Sequence, residues 1–390
     1  MIYNFDSPPS RYGTDCLKFD FAAERGRPAD ILPLWVADMD FPSPREVLDA
    51  IHRCAEHGIF GYTDPKSDYF EILATWFSPR FGYESRPEWV DITPGVVVAL
   101  ALAVQAYTKP GDAVLIQSPV YYPFREVIVD NDRQIIANSL VLEGGVYQID
   151  FDDFKKKIIQ HSIKLFLLCS PHNPTGRVWT REELLRMGEL CAKHGVTIVS
   201  DEIHCDFAWS HPHTIFPTLS HELAERTVLC TSPAKTFNLA GLQVSNIMIQ
   251  NEALRAKFKK QVDAMGYSQL NSAGLAATKA AYAYGGEWLT QLRNYLTSNL
   301  NFMRNNLREN VPQIRLIEPQ GTYLAWLDFR GLGLSESEMA DLIINKAGLW
   351  LDRGTMFGPE GEGFQRMNFA CPRSTLEKAL YRLKSAISGL

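Results

Sequence analysis

Three short apolar runs, at residues 165–169, 196–199 and 227–230, each break into a short polar loop, and this recurrence constrains the fold more than any other feature of the chain. The loops are SPHNPTG (170–176), SDEIH (200–204) and SPAKTFN (232–238). Between and around them lie helical patterns: an apolar stretch at 96–107, a strand at 113–117, a helix-like stretch at 123–131, and a helix opening at Thr180, where Glu182 and Glu183 suit the positive end of the helix dipole. A further strand is expected at 244–249. Such alternation predicts an α/β fold with a mostly parallel sheet between helices. In an open parallel sheet the loops at the carboxyl ends converge on one crevice. Asn173, Asp201 and Lys235 are therefore expected to meet.

After about residue 286 the texture changes. A long helical pattern (288–307), strands near 314–317 and 323–328, a helix at 336–346 and an amphipathic helix at 375–387 read as a smaller α+β unit. The expected division is an N-terminal segment joining the small domain (1–46), a large domain (47–285) and a C-terminal small domain (286–390).

A lysine in a short loop after an apolar run can form a Schiff base with a carbonyl, which is how pyridoxal phosphate is held and used. The ordered set SPHNPTG, SDEIH and SPAKTFN resembles the fold-type I pyridoxal-phosphate enzymes of the aminotransferase class I/II superfamily. Within that superfamily, DEIH followed by Asp206, KTFN followed by LAGLQ, and LPLWVADMDF near the N-terminus look like the MalY/PatB group of cystathionine β-lyases. The resemblance runs from about Tyr12 to the last helix.

The resemblance implies a role for each matching residue. Lys235 is the Schiff-base lysine and the base at the substrate Cα. Asp201 pairs with the pyridine nitrogen, and Asn173 hydrogen-bonds the ring 3-oxygen. The amides of Gly95, Val96 and Val97, in TPGVVVAL, face the phosphate, and Ser232 adds a hydroxyl. A helix start suits a dianion in any case. Tyr121, in SPVYYPF, stacks on the ring and protonates a departing group, and its neighbour Tyr122 points to the other side. Arg373, in NFACPR, grips the substrate α-carboxylate, a task suited to a planar guanidinium, with the backbone near Val36 and Ala37 beside it. Tyr62, in FGYT, reaches the phosphate of a neighbouring subunit, which implies a homodimer. His204 stands where ordinary aminotransferases commonly carry a tyrosine, and Gln243 where many carry a phosphate-binding arginine. Both departures favour β-elimination, of L-cystathionine or related cysteine S-conjugates to a thiol, pyruvate and ammonia. The alternatives are an aminotransferase on the same fold, or a regulatory protein that binds a transcription activator.

Composition excludes other classes. The chain has 390 residues, 46% of them hydrophobic and 22% charged, with a net charge of −6 and scattered lysines and arginines. That leaves no basic footprint for nucleic acid. The N-terminus lacks a basic start followed by an apolar core, and no apolar stretch approaches the roughly 20 residues that span a bilayer. A cytoplasmic protein is expected. Seven cysteines without CxxC spacing argue for reduced thiols. His52, Cys54 and His57, Cys191 with His194, and His211 with His213 do not assemble a familiar metal set, so no metal is expected.

Overall fold

The computed structural model describes residues 2–389. Its larger sheet has seven strands, in the order Val90–Thr93, Ser245–Met248, Thr227–Thr231, Thr197–Asp201, Leu165–Cys169, Ala113–Ser118 and Gln134–Ser139. Six of them point the same way. Ser245–Met248 runs antiparallel to both neighbours. The reason lies in the connection before it, which holds only a one-turn helix, Pro233–Thr236, and a 3-10 turn, Ala240–Leu242. With no crossover helix to carry it back, the chain re-enters the sheet from the edge it had just left.

Both faces of the sheet are covered, which is why its strands read as continuous apolar runs. Leu165, Leu167 and Cys169 pack towards the buried helix Val96–Tyr107, while Phe166 and Leu168 pack towards Arg181–Lys193 on the other side. That second helix opens on Thr180 as the sequence predicts. The Thr180 hydroxyl accepts from the Glu183 amide and the Glu183 carboxylate accepts from the Thr180 amide, a reciprocal cap of about 1 kcal/mol.

The smaller sheet is antiparallel, in the order Arg315–Ile317, Leu324–Asp328, Phe364–Asn368 and Asp352–Arg353. Behind it pack the long helix Gly286–Asn310 and the last helix, Arg373–Ile387. Near the N-terminus, Leu32–Pro33 pairs in parallel with Leu349–Trp350. Residues 35–41 then run as a strap from the small sheet to the edge of the large one, where Asn238 takes hold of them. Its amide nitrogen donates to the carbonyls of Met39 and Phe41, and its oxygen accepts from the Met39 amide.

Candidate active site

Strand register brings the functional loops together. Cys169 lies beside Asp201, Asp201 beside Cys230, Thr231 beside Asn246, and Ser245 beside Thr93. Hence the loops carrying Asn173, Asp201, Lys235 and Gly95 all leave one edge of the sheet. After Thr231, Ser232 caps the one-turn helix that carries Lys235. Its hydroxyl accepts from the Ala234 amide at 3.0 Å and donates to the Val244 carbonyl at 2.6 Å. Lys235 then reaches the strap: Nζ donates to the Ala37 carbonyl at 2.7 Å, and the Tyr323 hydroxyl donates to the same oxygen at 3.1 Å. Burial lowers the lysine pKa to about 8, with Arg366 adding to the fall and Asp38 and Asp201 opposing it.

Asp201 ends its strand in a buried position, and one carboxylate oxygen accepts from the Ile203 amide at 3.1 Å. The other oxygen has no hydrogen-bond partner among the described residues. Burial pushes this carboxyl up to about 7, although the Ile203 amide and Lys235 pull against the rise. Glu202 points the other way, held by Ser200 and by His213 at 2.6 Å. His204 is buried with Nδ1 unpartnered. Burial, with the positive charges of Lys235 and Arg366, keeps its ring neutral.

Asn173 joins three elements. Its carbonyl accepts from the Tyr121 amide at 2.9 Å, and its side-chain oxygen accepts from Arg366 Nη1 at 2.9 Å. Arg366 lies in the strand Phe364–Asn368, is 2% exposed, pairs with Asp352, and donates to the Trp35 carbonyl at 2.9 Å. Two residues on, the Asn368 amide nitrogen donates to the Val36 carbonyl at 2.6 Å and to that of Asp38. Val36 and Ala37 thus sit between Lys235 and the small sheet.

The expectation for Arg373 is corrected. Its Nε donates to Asn299 and its Nη2 to Ser298, each at 2.9 Å, and the guanidinium lies 4.5 Å from the Phe302 ring. It ties the helix Arg373–Ile387 to the helix Gly286–Asn310, and its bonds include none to the lysine cluster. Arg366, seven residues earlier, is the guanidinium that the structure brings there. The sequence did hold a signal for it, since an arginine inside a strand that is otherwise buried must find a partner.

The two tyrosines after Ala113–Ser118 are not separated by strand alternation, because Tyr122 already has helical backbone at the start of Pro123–Val129. Their rings are 5.0 Å apart and both lie near Arg366; Tyr121 is also near Asp201, whereas the Tyr122 ring lies 6.2 Å from that of Phe357. Burial raises the Tyr121 phenol well above its usual range, so it stays protonated.

At the start of Val96–Tyr107, Gly95 has φ of 132°, a conformation costly for any other residue, and opens the first turn. Thr93 braces this turn, its hydroxyl 3.1 Å from the Gly95 carbonyl and 2.7 Å from the Ser245 hydroxyl. Pro94, Gln243 and Tyr62 line one cavity of about 1030 Å³ beside it. Tyr62 is 95% exposed and Val97 38%.

These residues suit pyridoxal phosphate on two observations. A buried carboxylate with a free oxygen and a raised pKa lacks a cation, which a protonated pyridine nitrogen supplies. The orphaned Nδ1 of buried His204, beside Lys235, likewise lacks a polar partner. For the phosphate, the helix start at Gly95 offers free amides.

Fold and site together define a fold-type I pyridoxal-phosphate enzyme. A model of the family "aminotransferase class I and II" matches residues 29–383, and the chain belongs to that family, within its PatB/MalY-type cystathionine β-lyase branch. It is 44% identical to cystathionine β-lyase PatB of Bacillus subtilis over 99% of this chain and 100% of that one. It is 33% identical to protein MalY of Escherichia coli over the full length of both. Among solved structures, cystalysin from Treponema denticola, which contains a pyridoxal 5'-phosphate cofactor, superposes with a TM-score of 0.96 at 36% identity, covering 100% of both chains. No helix among the described residues is long and apolar enough to cross a membrane.

Proposed function

We infer that the protein is a pyridoxal-phosphate-dependent carbon–sulfur β-lyase that splits L-cystathionine or a related cysteine S-conjugate into a thiol, pyruvate and ammonia. The observation that carries this reading is the convergence of Lys235, Asp201, Asn173 and Arg366 in one buried cluster in a chain of this family. When bound, the cofactor supplies a carbonyl that condenses with amines and a ring that takes up the electron pair released at Cα.

Lys235 would hold the carbonyl, with Asp201 at the ring nitrogen, Asn173 and His204 at the 3-oxygen side, and the amides of Gly95, Val96 and Val97 at the phosphate, to which Ser232 would add its hydroxyl by turning from the Val244 carbonyl. Arg366, in place of Arg373, receives the substrate α-carboxylate, next to the Val36 and Ala37 backbone. A pKa near 8 leaves a minority of Lys235 neutral at physiological pH, far more than an ordinary lysine, and able to take the Cα proton. As the Cβ–S bond breaks, the electron pair leaves on sulfur, and Tyr121 presents its phenolic O–H to the departing thiolate. Water then hydrolyses the released enamine to pyruvate and ammonia.

Tyr62, fully exposed beside Pro94 and Gln243, supports a homodimer in which each subunit completes the other's phosphate site. All seven cysteines are free thiols, which supports a cytoplasmic setting. The pairing of Leu32–Pro33 with Leu349–Trp350 supports assigning residues 1–46 to the small domain, beside 47–285 and 286–390.

The test is to incubate the purified holoenzyme with L-cystathionine and score pyruvate and free thiol together. Both should appear in equal amounts. A keto acid formed by amino transfer, without thiol, would overturn the reading.

A further inference from the structure

Behind the strap, three arginines without an acidic partner line one hollow of about 360 Å³. Trp35 and Trp350 form its wall, stacked with ring centres 4.6 Å apart and planes 12° from parallel. The Arg25 guanidinium lies 5.2 Å from the Trp35 ring and that of Arg27 5.5 Å from the Trp350 ring. Arg353 completes the set, close enough to Arg27 that burial and this second positive charge together disfavour the charged form of Arg27. None of the three makes an ion pair among the described residues. The acid in the lining, Asp352, is already taken by Arg366.

The unpaired charges are matched by unpaired donors. Arg27 Nε and the Trp35 indole nitrogen Nε1 are both buried without a hydrogen-bond partner. A buried donor left unpaired is costly, and like charges beside it add to the cost. One species relieves both: an oxyanion that accepts from several N–H groups in a plane, which a guanidinium matches in two-pronged fashion. The indole faces and Met356 offer apolar surface to a short carbon chain attached to it.

We propose that the hollow formed by Arg25, Arg27, Arg353 and the Trp35–Trp350 stack is a second binding site, for the carboxylate of a small organic acid, set behind the substrate cleft. It shares a wall with that cleft. The Trp35 carbonyl and the Asp352 carboxylate, from two residues that line this hollow, both hold Arg366. A ligand here therefore bears on the residue that receives the substrate carboxylate. The carboxylate has two possible sources: the far end of an extended thioether such as cystathionine, which rests on the lyase reading, or a separate small acid, which does not.

The holoenzyme, wild type and with Arg27→Gln, Arg353→Gln or both, is compared in two measurements. In the first, KM is measured for L-cystathionine and for S-methyl-L-cysteine, which has no far carboxylate. In the second, the melting temperature is followed with sodium succinate against sodium chloride at equal ionic strength. If the substrate is the source, the variants raise KM for cystathionine about 10–100-fold and leave that for S-methylcysteine unchanged. If a separate acid is the source, both KM values stay, and succinate raises the wild-type melting temperature but not that of the double variant. Because Arg353 is exposed, its single variant keeps the test free of folding defects. The proposal is overturned if the variants change KM for neither thioether selectively and succinate gives no melting shift that the double variant abolishes. Failure of the wild type to release pyruvate from either thioether would instead sink the lyase reading, and the melting measurement would still decide this one.

Discussion

Arg366 and Asn173 meet between the two sheets, with guanidinium Nη1 donating to the amide oxygen at 2.9 Å. The bond joins the strand Phe364–Asn368 to the loop after Leu165–Cys169, and the same loop receives the Tyr121 amide. Arg366, Asn173 and Tyr121 are thus fixed relative to one another before any ligand arrives, which lowers the ordering cost of binding.

The pairing separates two arginines by experiment. Arg366→Lys keeps the charge but loses the planar fork, and KM for cystathionine should rise about 10–100-fold. Arg373→Ala should leave KM where it was and cost about 1 kcal/mol of stability, through its lost bonds to Asn299 and Ser298. Steady-state kinetics and denaturant unfolding of the two variants give the answer. A KM change confined to Arg373→Ala would restore the sequence-based expectation.

That expectation shows where sequence stops. The strand ends were legible because a parallel sheet buried on both faces writes each strand as an apolar run, so 165–169 is read residue for residue. Asn173, Asp201 and Lys235 follow those runs directly, and their convergence follows from strand order. Arg366 and Arg373 lie either side of a strand end in a domain whose sheet is built from distant pieces. Which of them turns towards Asn173 depends on pairing with Leu324–Asp328 and Asp352–Arg353, and no local pattern records that. The antiparallel return of Ser245–Met248 was hidden for a related reason: direction is set by the path of the connection, while apolar periodicity reports only burial.

Lys235 should govern cofactor uptake through its pKa. In the cofactor-free protein only the neutral amine attacks a carbonyl, and burial places the pKa at about 8 instead of the usual value above 10. The rate of pyridoxal phosphate incorporation should climb about tenfold per pH unit below 8 and flatten above it. Stopped-flow absorbance measures this. A climb that continues towards pH 10 would show an ordinary, solvated lysine. In the loaded enzyme, Lys235→Ala should lower kcat by at least about 10²–10⁴-fold with the melting temperature little changed.

Asp201 carries the opposite sign. Its folded-state pKa of about 7 lies above the ordinary carboxylate value, so the folded protein binds the extra proton between those limits. Stability of the cofactor-free protein is therefore lost as pH rises from about 4 through 7, and the burial penalty is complete at about pH 8. Asp201→Asn removes that penalty. It should raise the melting temperature of the cofactor-free protein at about pH 8, and much less at about pH 5, where the native carboxyl is largely protonated. With cofactor bound the order should reverse, because the amide no longer balances a protonated ring nitrogen, and kcat should fall by about 10²-fold or more. Calorimetry at the two pH values, with and without pyridoxal phosphate, reads both halves.

Tyr62 gives the test of shared sites. It is 95% exposed, with Ile59 and Phe60 beside it 72% and 68% exposed, a cluster of large apolar side chains open to a second molecule. If each tyrosine serves the other subunit's phosphate, Tyr62→Ala and Lys235→Ala are each defective alone, yet a dimer containing one of each has one site with both native residues. Mixing the two variants under conditions that exchange subunits should restore about a quarter of wild-type activity, since about half the dimers are mixed and each has one intact site. A mixture no more active than the sum of its parts would place Tyr62 in its own subunit's site.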